Sequence, residues 1–263
     1  MKAPSFAYAK PRTLAEALEL LARHGEGARI LAGGQSLIPT LNMRLSSPEI
    51  LVDITGLREF SGIEVSGGKV KIGALVTHAQ IEKSAEIRQH VPLLAQAAPH
   101  IAHAAIRNRG TLGGSLALAD PAAEYPACAV ALDAVFTIAS SRGERKVKAA
   151  DFFKGLFETD LEAGEILTAA EFPMGGKSAF LELTRRQGDY AIIGLAAHDS
   201  RFVFFNAGAK PVVVNTRKSL AETKTALAKE LDPPADLYNS SATKLHLAGV
   251  LLERVWNTLS TSR

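Results

Sequence analysis

Two short glycine motifs, about eighty residues apart, carry the most chemistry in this chain. The first is Ala32-Gly33-Gly34-Gln35-Ser36, directly after Ile30-Leu31. The second is Thr111-Leu112-Gly113-Gly114-Ser115, directly after Arg107-Asn108-Arg109-Gly110. Each offers adjacent backbone N–H groups with no bulky side chain in the way. Glycine admits positive φ and close backbone approach, which cradling an anion requires. Two such loops facing each other can hold both phosphates of a dinucleotide. Either motif alone reads equally well as a turn. Neither follows the G-x-G-x-x-G or G-K-[ST] pattern of the common nucleotide folds.

Other candidate groups are less specific. His100 and His103 stand three apart on a predicted helix, but no carboxylate or cysteine at helical spacing completes a metal site, so none is expected. Cys128 lies in the apolar stretch Ala127-Cys128-Ala129-Val130 and reads as a small buried hydrophobe. No serine-hydrolase elbow and no H-E-x-x-H is present, and no catalytic acid, base or nucleophile stands out. Arg185-Arg186-Gln187-Gly188-Asp189-Tyr190 reads either as a solvated loop or as a lid whose Tyr190 lies on a planar ring. Asp120 and Glu124 either complement a helix dipole or accept hydrogen bonds from a ribose.

The elements around these residues follow from pattern. Thr13-Leu14-Ala15-Glu16 is a capping box that opens a helix ending at Gly25. Arg29-Ile30-Leu31 and Ile50–Ile54 are strands, with a compact helical stretch over 37–45. Residues 1–55 thus form a β-α-β-like unit with the first motif after a strand. Residues 56–175 form a larger α/β unit. It has a hairpin around Ser66-Gly67-Gly68, a second capping box at Thr77-His78-Ala79-Gln80 and an apolar helix over 92–105. The second loop follows, then a helix over 120–132 and strands over 135–139 and 166–172. Residues 176–263 hold strand segments over 180–186, 192–197, 202–206 and 212–215. Ser219 opens one helix there, and a last helix spans 242–259.

Composition bounds the function. A chain of 263 residues with net charge +3 and no long basic run is large enough for more than one domain and gives no nucleic-acid signature. No apolar run is long enough for a membrane span, and the N-terminus carries no secretory pattern. One cysteine excludes an internal disulfide and a self-contained iron–sulfur cluster. It is consistent with a cytoplasmic location.

Taken together, four stretches resemble one family. They are residues 31–37, the run Ile106-Arg107-Asn108-Arg109-Gly110-Thr111-Leu112-Gly113-Gly114-Ser115-Leu116, Asp120-Pro121-Ala122-Ala123-Glu124, and Arg185-Arg186-Gln187-Gly188-Asp189-Tyr190-Ala191. In this order and spacing they resemble the FAD-binding medium subunit of the molybdenum hydroxylases, such as the medium subunit of aerobic CO dehydrogenase and the flavin segment of xanthine dehydrogenase. The resemblance implies an α+β protein with the FAD-binding PCMH-type fold: two α/β subdomains that clasp FAD, then a C-terminal α+β domain like that of the CO dehydrogenase flavoprotein.

The resemblance also implies roles. Leu31, Ala32, Gly33, Gly34, Gln35, Ser36 and Leu37, with Thr111, Leu112, Gly113, Gly114 and Ser115, would bind the FAD pyrophosphate through backbone N–H groups. Glu124 would contact the adenosine end. Ile101 and Leu167 would lie beside the flavin, and Tyr190 would cover one of its faces. The first loop has no histidine or cysteine for covalent attachment, so FAD is expected to be noncovalent. Leu181 stands where the xanthine dehydrogenase branch has a lysine near the flavin, and the C-terminal domain is short for the family.

On this reading the chain is an electron-transfer subunit of an oxidoreductase. A molybdopterin-binding large subunit and a [2Fe-2S] small subunit would complete a dimer of heterotrimers. Electrons would reach FAD from the clusters and leave to NAD+, oxygen or a quinone. The alternative is a free-standing, MurB-like FAD-dependent oxidase or reductase of the same superfamily.

Overall fold

The computed structural model describes residues 2–216 and 218–261. Its first part comprises β1 (Ala7–Ala9), α1 (Leu14–His24), β2 (Ala28–Leu31), α2 (Leu37–Asn42) and β3 (Ile50–Asp53). The three strands form a parallel sheet in the order β1-β3-β2, with Leu31 opposite Asp53. Helix α1 starts at Thr13, whose hydroxyl accepts from the Glu16 N–H at 3.2 Å. The Glu16 carboxylate accepts from the Arg12 N–H instead of Thr13, so only one arm of the expected capping box forms. Ala17, Leu18 and Leu21 are buried beside Ile50, Val52 and Ile54. Each larger side chain contributes about 2 kcal/mol by leaving water.

The second part opens with the hairpin β4 (Ile63–Ser66) and β5 (Lys69–Gly73). Six short helices follow: α3 (His78–Lys83), α4 (Ala85–His90), α5 (Pro92–Ala97), α6 (Ala104–Arg107), α7 (Leu112–Leu118) and α8 (Glu124–Ala131). Then come β6 (Val135–Ser140), β7 (Gly143–Lys148), α9 (Ala149–Phe152), β8 (Phe153–Gly155), β9 (Glu158–Thr159) and β10 (Ile166–Pro173). The main sheet runs β4-β5-β10-β6-β7, every neighbouring pair antiparallel. At α3 the capping box is complete, because Thr77 and Gln80 exchange both bonds.

Three local expectations need correction here. The predicted helix over 92–105 breaks at 98–103: a 3-10 turn holds Ala98–His100, and Ala102 takes φ +42°. Pro99 has no N–H to continue the α ladder. The Arg107 guanidinium accounts for the carbonyls so released, donating to Pro99, Ile101 and Ala102 at 3.4, 3.1 and 3.0 Å while pairing with Glu82 at 2.8 Å. The predicted helix over 120–132 begins only at Glu124. Ala119 is left-handed, and Asp120 accepts from the Ala122 N–H through its side chain and from the Ala123 N–H through its carbonyl. Asp120 therefore sits in a turn that competes with helix formation. Finally, the second glycine motif is the first turn of α7.

The third part is an antiparallel meander, β11 (Ser178–Leu183), β12 (Ile193–His198), β13 (Arg201–Phe205) and β14 (Val212–Asn215), with α10 (Leu220–Glu230) and α11 (Ser241–Thr261). Ala248, Leu251, Leu252 and Val255 of α11 share a core with Ile193, Leu195, Phe202 and Phe204. The opposite sheet face, with Phe180, Ala196, Val203 and Phe205, joins the core of the second part. Alternation along each strand assigns its residues to these two cores, which is why β12 is buried on both sides.

Candidate functional site

The first glycine motif leaves β2 at the C-terminal end of the parallel strands, the edge where crevices open in such sheets. Gly34 takes φ +72°, and the Gln35 side-chain amide donates to the Gly33 carbonyl at 2.9 Å, folding the loop on itself. The carbonyls of Gly34 and Ser36 accept from the N–H groups of Ile38 and Thr40, both at 3.1 Å. Among the described residues, the N–H groups of Gly33, Gly34, Gln35 and Ser36 donate to no protein acceptor. Four successive open donors form a concavity suited to an anion.

The second motif differs in a way its glycines conceal. Thr111 caps α7, and its hydroxyl and carbonyl accept from the N–H groups of Gly114 and Ser115 at 3.1 and 3.0 Å. The Leu112 and Gly113 N–H groups donate to the carbonyls of Val76 and Ala74, each at 2.9 Å. The expected second set of free N–H donors at 112–115 is thus spent inside the fold. Gly113 is needed for packing: a Cβ there would lie 2.5 Å from the Ala74 Cβ. Gly114 remains exposed and Ser115 half-buried. The first motif meets the segment leading into the second, since a Cβ on Gly33 would lie 2.2 Å from the Arg109 carbonyl oxygen and 2.9 Å from the Gly110 Cα.

Asp120, Glu124 and Glu182 interact with one another as a cluster of acids. Burial, and then the charge of Glu182, push the Glu124 carboxyl up to about 8. It is held protonated at neutral pH and offers both a donor and an acceptor to a hydroxyl. Burial raises the Asp120 pKa as well. Tyr190 has its side chain largely in solvent, with the residue 74% exposed. Its phenol pKa is raised by desolvation and then by the charges of Asp120 and Glu124. Ile101 and Leu167 are buried in the same core cluster.

Sequence reading missed three polar residues here. Glu182 has a side chain only 3% exposed; its Oε1 lies 3.1 Å from His100 Nδ1, and its Oε2 is buried without a partner among the described residues. Arg107 fixes the break that carries Ile101. Asn206 joins two distant segments by hydrogen bonds. Glu182 and Asn206 carry a faint signal, a polar residue inside or ending an apolar run, and Arg107 lies in the run that carries the resemblance. His100 and His103, predicted on one helix face, lie within the break, His100 ending the 3-10 turn and His103 preceding α6. Leu181 packs into the C-terminal core, whereas Glu182 is on the opposite strand face. A lysine at 181 would therefore not point toward the acids.

The donors, acceptors and exposed aromatic ring fit a dinucleotide: four N–H groups for its phosphates, carboxyls for its hydroxyls, a ring face for a planar group. No helix among the described residues is long and apolar enough to cross a membrane. Comparison with known proteins agrees with the chemistry. Residues 4–175 match the family described as FAD binding domain in molybdopterin dehydrogenase. The 6-hydroxypseudooxynicotine dehydrogenase complex subunit alpha of Paenarthrobacter nicotinovorans is 46% identical over 200 residues, covering 75% of this chain and 68% of that one. The crystal structure of quinoline 2-oxidoreductase from Pseudomonas putida 86 matches with a TM-score of 0.93 at 38% identity, covering 99% of each chain. Carbon monoxide dehydrogenase from Hydrogenophaga pseudoflava, in a form lacking the Mo-pyranopterin moiety, matches with a TM-score of 0.94 at 31% identity and 99% coverage of each chain. The chain belongs to the FAD-binding, electron-transferring medium subunits of the molybdenum hydroxylase family of oxidoreductases.

Proposed function

We propose that FAD lies, without covalent attachment, in the cleft between the first glycine loop and the acidic cluster. The observation that carries this reading is the row of open N–H donors at Gly33–Ser36 set against Arg109–Gly110. Leu31–Leu37 wraps the pyrophosphate, with Thr111–Ser115 as the second wall. There Gly114 and Ser115 supply close approach, and the buried N–H groups of α7 hold the wall in place. Glu124 binds hydroxyls of the adenosine end. Ile101 and Leu167 form an apolar floor beside the flavin, and Tyr190 covers a face of it. Bound there, FAD would supply the redox chemistry between iron–sulfur clusters of a partner and an external acceptor.

The protein's part is to bind, orient and keep water from the ring. The division into parts at residues 55 and 175 serves this, because the cleft draws on all three. The partners are a molybdopterin-binding large subunit and a [2Fe-2S] small subunit in a dimer of heterotrimers, in the cytoplasm. Support comes from a relative that is a subunit of a dehydrogenase complex and from the likeness to a carbon monoxide dehydrogenase with a molybdenum cofactor.

The test is the visible spectrum of the purified chain before and after acid denaturation, with the released cofactor identified by chromatography. Stoichiometric, releasable FAD supports the reading. No flavin, either as purified or after adding FAD to the co-expressed complex, overturns it.

A further inference from the structure

Asn206 ends the meander strand β13 in the left-handed backbone region, φ +50°, which asparagine tolerates better than most residues. Its backbone N–H donates to the Pro121 carbonyl at 2.7 Å. Its side-chain Nδ2 donates to the carbonyls of Ala191 at 2.6 Å and Ile192 at 3.3 Å. One residue thereby joins two segments about seventy residues apart. One is the turn that carries Asp120 and leads into Glu124. The other is the stretch immediately after Tyr190.

The sheet itself does not need the amide. The ladders of β13 to β12 and β14 run through residues 201–205. The backbone of Asn206 holds one segment and its side chain holds the other. On the Tyr190 side the amide fixes a stretch whose preceding residues, Arg185, Arg186 and Gln187, are exposed. Ala191 is buried, and the Ile192 N–H donates to Leu183 at 2.7 Å. The 190 segment is therefore pinned at its C-terminal end, one residue past the ring.

We propose that Asn206 is the positioning residue that sets the Tyr190 ring opposite the Asp120–Glu124 turn, holding two walls of the cofactor cleft in register. The inference rests on the FAD-binding reading above. Asn206 does not touch the cofactor; it acts through Tyr190.

N206G separates the two arms. It keeps the left-handed backbone and the N–H donor to Pro121, and it removes only the amide. N206D preserves shape but replaces a donor with a carboxylate that repels both carbonyls. Each full-length variant is titrated with FAD by flavin fluorescence. Visible circular dichroism and residual fluorescence are then recorded at saturation, and backbone amide exchange is measured in the FAD-free chain.

The expected result for N206G is a Kd raised about tenfold, as for loss of one buried hydrogen bond pair. At saturation its flavin circular dichroism is altered and its fluorescence less quenched. Amide exchange is faster over 189–192 and unchanged over 120–124. N206D shows the same signature more strongly. In a Y190A background N206G adds little, because its route is already cut.

Three outcomes overturn the proposal: saturated spectra and affinity equal to the parent chain, a loss of thermal stability with unchanged saturated spectra, or effects that add fully to Y190A. If the parent chain and its complex take up no FAD at all, the functional reading and this inference fall together. If the parent binds FAD and N206G behaves identically, only this inference falls.

Discussion

Gly33 sits so close to Arg109 that a Cβ would lie 2.2 Å from the Arg109 carbonyl oxygen. The contact joins the parallel-sheet part of the chain to the segment leading into α7. It is backbone against backbone, so no rotamer change relieves it. G33A is expected to destabilise the apo chain by about 2 kcal/mol, as overpacking does, and to abolish FAD uptake by moving the open donors. G62A is the control, since nothing lies within 4 Å of a Cβ there. Thermal melts and flavin content of the two variants check this. A G33A chain that melts and binds like G62A refutes the contact.

Glu124 gives a pH dependence with a definite sign. Its carboxyl titrates at about 8 in the folded chain against 4.5 for a free side chain. Between those values the folded state holds a proton that the unfolded state has released. Stability therefore falls as pH rises from about 4.5 to about 8, and levels beyond. E124Q removes this contribution. The difference in Tm between E124Q and the parent should grow in favour of the variant across that window. A difference that stays constant with pH excludes the buried, protonated carboxyl.

Elements with strong local signals were legible from sequence: the strands of the meander, the two C-terminal helices, the β-α-β opening and the complete capping box at Thr77–Gln80. Failures came where a tertiary partner competed with local pattern. The apolar run over 92–105 has helical periodicity, but the distant Glu82 and the Arg107 guanidinium stabilise a break beside Pro99. Asp120 opens a plausible helix until its side chain takes the Ala122 N–H. Both glycine pairs stand out in the sequence, yet only Gly33–Ser36 keeps its N–H groups open among the described residues. Sequence does not reveal that Ala74 and Val76 accept from the other. Leu181 and Glu182 show the same limit, because a shift of one residue along a strand exchanges its two faces.

Lys244 is buried in α11, its side chain 2% exposed, and its ammonium lies 2.9 Å from Asp236. That hydrogen bond, followed by the Tyr238 N–H, holds the Asp236 carboxyl well below its ordinary range. Removing the anion leaves a buried cation without its counter-charge, which costs about 3 kcal/mol. D236A should lower the melting temperature of the C-terminal part sharply, and K244M, which removes the charge itself, should cost much less. Chemical denaturation of both variants decides it. Equal losses mean the pair acts only through packing.

Glu182 adds its charge to burial in raising the Glu124 pKa, and its share is open to direct measurement. Its own side chain is almost wholly buried, with Oε1 facing His100 and Oε2 unpartnered among the described residues. Its charge is the largest electrostatic influence raising the Glu124 pKa, second only to burial among all causes. E182Q keeps the shape and an oxygen for His100 while removing that charge. Glu124 should then release its proton at lower pH, so the decline in stability should end earlier than in the parent. E124Q/E182Q should lack the decline attributable to Glu124 altogether. Burial alone would leave the endpoint in place, so an E182Q profile that still levels near pH 8 assigns the shift to desolvation and removes Glu182 from the coupling.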